Sequence, residues 1–138
     1  MAKIVTFGEL MLRLSPVGYN RLFQTESLEG SFGGGEANVA VSLAQMGDDA
    51  AFVSKFPQNM VGEAALRKLK AYGVNTSHIL RGGKRMGIYY MEKGASQRPS
   101  VCIYDREGSS FQTSKPEEYC WKEIMQGAQW FHFTGITP

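Results

Sequence analysis

Two cysteines and two histidines in 138 residues leave little material for metal or redox chemistry. Cys102 and Cys120 stand in dissimilar contexts and match no ligand or CxxC spacing, so nothing here suggests a disulfide scaffold or a zinc module. A reduced, cytoplasmic chain is expected. No apolar run approaches the roughly 18 residues of a membrane-spanning helix. Met1-Ala-Lys-Ile-Val-Thr-Phe-Gly8 enters a strand pattern directly, without signal-peptide anatomy. Neither sign of charge dominates: 15 basic side chains face 13 acidic ones, a net of +2. That balance argues against a nucleic-acid partner or a membrane surface. There are no repeats and no low-complexity segments. What remains is an ordinary globular composition, 43% hydrophobic, with enough length for one buried core.

Lys3-Ile-Val-Thr-Phe-Gly8 reads as a first buried strand closing on Gly8-Glu9. Residues 10–30 alternate irregularly around the turn chemistry of Ser15-Pro16-Val17-Gly18 and read as a strand excursion. Apolar residues at 37, 39, 40, 41, 43, 44 and 46 are too many for one narrow stripe. They predict a helix buried on more than one side and capped by Gly47. Ala-Ala-Phe-Val-Ser at 50–54 is a second strand. Asn59 is an N-cap for a helix over 60–72 that buries Val61, Ala64, Ala65, Leu66, Leu69 and Tyr72 and stops at Gly73. A β-rich piece follows, Met86–Glu92 and Pro99–Arg106, joined by a polar loop. Pro116 opens a third helix, and Trp130-Phe-His-Phe-Thr-Gly135 is a last buried strand with His132 in its core.

Strands alternating with helices predict a doubly wound α/β sheet. The β-rich stretches at about 11–30 and 87–106 break that alternation and read as an inserted flap. Thr134-Gly-Ile-Thr-Pro138 follows a core strand with no crossover helix after it. A parallel strand needs such a crossover, so the front portion of a longer protein is expected.

Three glycines, Gly33, Gly34 and Gly35, run into the first long helix. A phosphate-binding P-loop would need G-x-x-x-x-G-K-[ST]; Gly30 and Gly35 have the spacing, but Glu36 and Ala37 follow, and a carboxylate repels phosphate. The dinucleotide fingerprint fails as well, because Asn38 replaces its third glycine and the run lies far from the first strand. Two readings stay open. The glycines either provide a tight turn and close packing, or present bare N–H groups at a helix N-terminus to a ligand. Asn38, an amide on an otherwise apolar helix, would add a donor and an acceptor suited to sugar hydroxyls.

Gly34-Gly35-Glu36-Ala37-Asn38-Val39-Ala40, followed after six residues by Gly47, resembles the N-terminal signature of ribokinase-like (phosphofructokinase-B type) carbohydrate kinases. The signature's next glycine is Pro57 here. The resemblance runs over essentially the whole chain, taking in Gly8-Glu9, Met60-Val61-Gly62 and His132-Phe-Thr-Gly-Ile136. It implies a ribokinase-like doubly wound sheet with a small β-lid, in which Gly34, Gly35 and Asn38 line a sugar pocket.

Tyr89 and Tyr90 point to opposite faces of one strand, whereas Tyr104 and Arg106 share a face. A phenol beside a planar guanidinium suits a hydroxylated carboxylic acid; without the family, a solvated hairpin with a surface arginine fits equally. With it, the pattern resembles 2-keto-3-deoxygluconate kinases, where the arginine holds the acid's carboxylate. That likeness implies substrate contacts from Gly34, Tyr89, Tyr104, Arg106 and the backbone at Ile136. Fructose, ribose or adenosine remain alternative substrates, and a non-catalytic sugar-binding or assembly module an alternative role. Glu9 either touches a hydroxyl or caps local backbone.

The family uses ATP and Mg²⁺ to phosphorylate a primary hydroxyl. The resemblance places the catalytic base beside a glycine-rich anion hole beyond Pro138. The aspartates of this chain, Asp48, Asp49 and Asp105, lie in no such context, and no residue in it is read as a metal ligand. A homodimer formed through the lid is also implied.

Overall fold

The computed structural model describes residues 2–136. In chain order the strands are β1 (Lys3–Phe7), β2 (Met11–Pro16), β3 (Leu28–Gly33), β4 (Asp49–Phe56), β5 (Ile79–Arg81), β6 (Ile88–Glu92), β7 (Val101–Asp105) and β8 (Trp130–His132). The helices are α1 (Gly35–Gln45), α2 (Met60–Ala71) and the single turn α3 (Trp121–Ile124). They build two four-stranded sheets, ordered β5-β4-β1-β8 and β3-β2-β6-β7.

All pairings in the first sheet are parallel. Strand β4 explains its layering. Ala50, Phe52 and Phe56 point into a cluster with Ala37, Ala40, Ala65 and Leu69 of α1 and α2. Ala51 and Val53 point the other way and join Val5, Tyr119 and Ile124. A strand buried on both faces needs apolar residues at both parities, and Ala-Ala-Phe-Val supplies them. The second sheet mixes antiparallel β2–β3 and β6–β7 pairs with a parallel β2–β6 pair. It is assembled from the two stretches that break the α/β alternation. Among the described residues, no helix is long and apolar enough to cross a membrane.

Asn59 caps α2 as expected, its side-chain oxygen accepting from the N–H groups of Val61 (3.1 Å) and Gly62 (3.0 Å). Gly47 and Gly73 follow the two long helices at φ +99° and +82°, the left-handed geometry of a helix stop.

Several expectations are corrected. Helix α1 is buried along Ala37 and Ala40, while Met46 is exposed, because only one face of it meets the sheet. On α2, Val61 and Tyr72 are exposed and only Gly62, Ala65 and Leu69 are buried. The helix expected from Pro116 breaks after one 3-10 turn, Pro116–Glu118. Tyr119 is extended (φ −98°, ψ 126°), and its ring is stacked edge-on against Phe7 and beside Trp121. Burying that aromatic pair outweighs continuing the helix. The last strand is only three residues long, with Trp130 exposed and His132 half-buried, since it lies at the sheet's edge. Strand β5 was not foreseen at all; three residues carry no usable periodicity.

Candidate functional site

The end of β1, the β3–α1 junction and the inner face of the second sheet enclose a cleft of about 640 Å³. That volume suits a small ligand. Gly34, Gly35, Asn38, Tyr89, Tyr104, Arg106 and Ile136, all singled out from sequence, line it together.

The glycines divide by what surrounds them. A Cβ on Gly33 would stand 2.2 Å from the Tyr89 hydroxyl, and one on Gly34 would stand 2.4 Å from the Glu9 carbonyl oxygen. These two are bare because the protein itself closes in. At Gly35 nothing lies within 4 Å, so its missing side chain leaves open cleft. Gly35 also begins α1, whose first-turn N–H groups lack helical partners and carry the positive end of the helix dipole. Asn38 is exposed at the cleft rim rather than buried, so it needs no internal partner.

Tyr89 and Tyr104 face each other across β6 and β7, ring centroids 5.9 Å apart. Tyr90 points away, as alternation required. The neighbouring Cys102 side chain, by hydrogen bonding, and to a lesser extent burial hold the Tyr104 phenol above the ordinary tyrosine pKa. Tyr104 therefore stays a hydrogen-bond donor throughout the physiological range.

Arg106 is not free. Its Nη2 lies 2.6 Å from Glu9 Oε2, and Ser109 Oγ donates to Glu9 Oε1 at 2.6 Å. With its amide set to satisfy both partners, Gln112 accepts from Arg106 Nε (3.2 Å) and donates to its carbonyl (2.7 Å). Glu9, half of an open question in the sequence, is thus an ionic partner for Arg106 inside the cleft. The second buried carboxyl there, Glu36, accepts from Thr134 Oγ1 at 2.6 Å. It ties the start of α1 to the segment after β8.

Sequence reasoning missed Arg13, Met11, Met91, Cys102, Phe111 and Thr134, which also line the cleft. For Arg13 a signal existed: alternation puts it on the same face as Met11 and Ser15.

Among the described residues no group of three or more His, Cys, Asp or Glu side chains could hold a metal. None of the three aspartates lines the cleft. The two carboxylates of the cleft, Glu9 and Glu36, are engaged by Arg106, Ser109 and Thr134, so these residues do not fit an ATP–Mg²⁺ site.

The description of pfkB family carbohydrate kinases matches residues 1–138. The chain is 39% identical over 137 residues to a 2-dehydro-3-deoxygalactonokinase of Haloferax volcanii, covering 99% of this chain and 43% of that protein. The crystal structure of a 2-dehydro-3-deoxygluconokinase from Thermotoga maritima superimposes with a TM-score of 0.98 at 56% identity, over 100% of this chain and 42% of that one. An uncharacterized sugar kinase from Pyrococcus horikoshii, solved with ATP, aligns with a TM-score of 0.82 at 26% identity, over 93% and 41% of the two chains. The chain thus spans about two fifths of the length of these relatives.

Proposed function

The chain belongs to the pfkB family of carbohydrate kinases, and from that premise we propose that it forms the sugar-binding part and lid of an ATP-dependent kinase for a 2-keto-3-deoxy sugar acid. 2-Keto-3-deoxygluconate is the substrate it fits best. The observation that carries this reading is the convergence of the glycine turn, two facing tyrosines and Arg106 on one cleft.

In this reading the first turn of α1 and the open space at Gly35 receive sugar oxygens. The Tyr89 and Tyr104 phenols hydrogen-bond the hydroxyl chain, and the guanidinium donors of Arg106 not used by Glu9 and Gln112 reach the carboxylate. Glu9 fixes the orientation of Arg106, which lowers the entropy cost of binding. The second sheet covers the sugar and excludes water, protecting the phosphoryl donor from hydrolysis. Phosphoryl transfer depends mainly on such positioning. The base and the nucleotide pocket belong to residues outside this sequence. Two copies meet through the lid, and the protein works in the cytoplasm.

The test is a coupled assay on the longest product of the gene that encodes this chain. ATP-dependent phosphorylation of 2-keto-3-deoxygluconate in preference to fructose, ribose and adenosine is expected. A preference for any of the neutral compounds would defeat the assignment.

A further inference from the structure

Four side chains that carry charge at neutral pH line the cleft: Glu9 and Glu36 against Arg13 and Arg106. Glu9 already balances Arg106. Arg13 enters none of the four ion pairs among the described residues. Its Nε is closed off from solvent and has no hydrogen-bond partner there.

This is not a solvated surface arginine. It stands in β2 between Met11 and Ser15, which share its face and are both buried. In register, Arg13 lies beside Tyr89 of β6, which lies opposite Tyr104 of β7. Paired residues project to the same face, so the guanidinium and the two phenols form one row across the lid's inner side. An unpaired, partly buried guanidinium is costly, and its planar fork of donors matches a carboxylate. Without Arg13 the one other cation among the described residues lining the cleft, Arg106, is already balanced by Glu9.

We propose that Arg13 determines the preference for an acid: it binds the substrate carboxylate jointly with Arg106 and supplies the positive charge that Glu9 has cancelled on Arg106. The inference rests on the sugar-acid reading above and names the residue that decides it.

Calorimetry on the longest gene product compares 2-keto-3-deoxygluconate with its neutral amide, in wild type and in Arg13→Met. The substitution is expected to weaken acid binding by about 10- to 100-fold and to lower the acid-to-amide affinity ratio by roughly tenfold or more. Arg13→Lys should recover part of the ratio, because an ammonium keeps the charge without the fork. If Arg13→Met does not fold, as judged by circular dichroism, Arg13→Gln and Arg13→Lys carry the same comparison. A wild type that binds the acid, with variants that keep the wild-type ratio, overturns the role of Arg13 alone; the arginine would then only brace the sheet or meet a partner's lid. A wild type that binds neutral sugars and no sugar acid overturns the substrate class, and this inference with it.

Discussion

A Cβ on Gly34 would stand 2.4 Å from the backbone carbonyl oxygen of Glu9, whereas one on Gly35 would meet nothing within 4 Å. Adjacent glycines therefore answer to different constraints. Gly34→Ala must push the β3–α1 junction away from the end of β1, an overpacking cost of about 1–3 kcal/mol. Gly35→Ala should stabilise slightly or leave stability alone, since alanine is the better helix former, while raising the KM for the sugar. Urea unfolding and steady-state kinetics on both variants separate the two. Equal losses of stability would contradict the distinction.

Glu9 and Arg106 form a largely buried ion pair, with side-chain exposures of 5% and 22%. Removing one partner strands the other charge, at a cost of about 3 kcal/mol. Glu9→Leu should thus destabilise more than the double variant Glu9→Leu/Arg106→Leu. The double-mutant cycle, read by chemical unfolding, reports their coupling; simple additivity would mean that the contact is not maintained in solution.

Arg106→Ala also removes a charge-assisted contact to the proposed substrate. The specificity constant for the sugar acid should fall by roughly 10- to 150-fold, and for a neutral sugar of similar length by much less. An equal fall for both would leave Arg106 with a supporting role in the lid.

Two exposed carboxylates are held below the usual range by hydrogen bonds from cations: Asp105 by Arg85, and Glu118 by Lys55. A carboxylate whose folded pKa is depressed adds stability above its unfolded pKa and loses it as pH falls through the folded value. The melting temperature should therefore hold from neutrality to about pH 5 and decline below about pH 4. Glu118→Gln should show a shallower acid decline than wild type, followed by scanning fluorimetry between pH 3 and 7. An identical decline would show that this pair does not contribute.

Val101 is 40% and Ile103 50% exposed on β7, which lies at an edge of its sheet. An exposed apolar edge strand invites pairing with a second copy. Light scattering on the longest gene product at micromolar concentration should give a dimer mass, reduced toward monomer in Ile103→Lys. A monomeric wild type would remove the lid dimer from the proposal.

Gly33 and Gly34 are bare because of Tyr89 and Glu9, distant in sequence, but the α/β order, the Asn59 cap and the helix stops at Gly47 and Gly73 were all legible locally. Each depends on a residue's own backbone preference or on spacing within one element. The same holds for Tyr89 and Tyr104, because strand period alone decides which tyrosine can share a face with which. Their meeting, at 5.9 Å, required β6 and β7 to pair in one register.

Other features depended on residues far apart in sequence. Tyr119 is extended because Phe7 and Trp121 are there to pack it, and no window around Pro116 contains Phe7. Glu9 became the partner of Arg106 only when the end of β1 met the end of β7. Arg13 lines the cleft because β2 is inserted beside β6, 75 residues later at the paired Leu12–Gly87 backbone contact (2.9 Å). The sequence by itself determined the α/β order, the caps of the two long helices and which side chains of one strand share a face. Only the tertiary structure decided which charges cancel and which remain for a ligand, because Coulombic and hydrogen-bond energies depend on distances that chain order does not set.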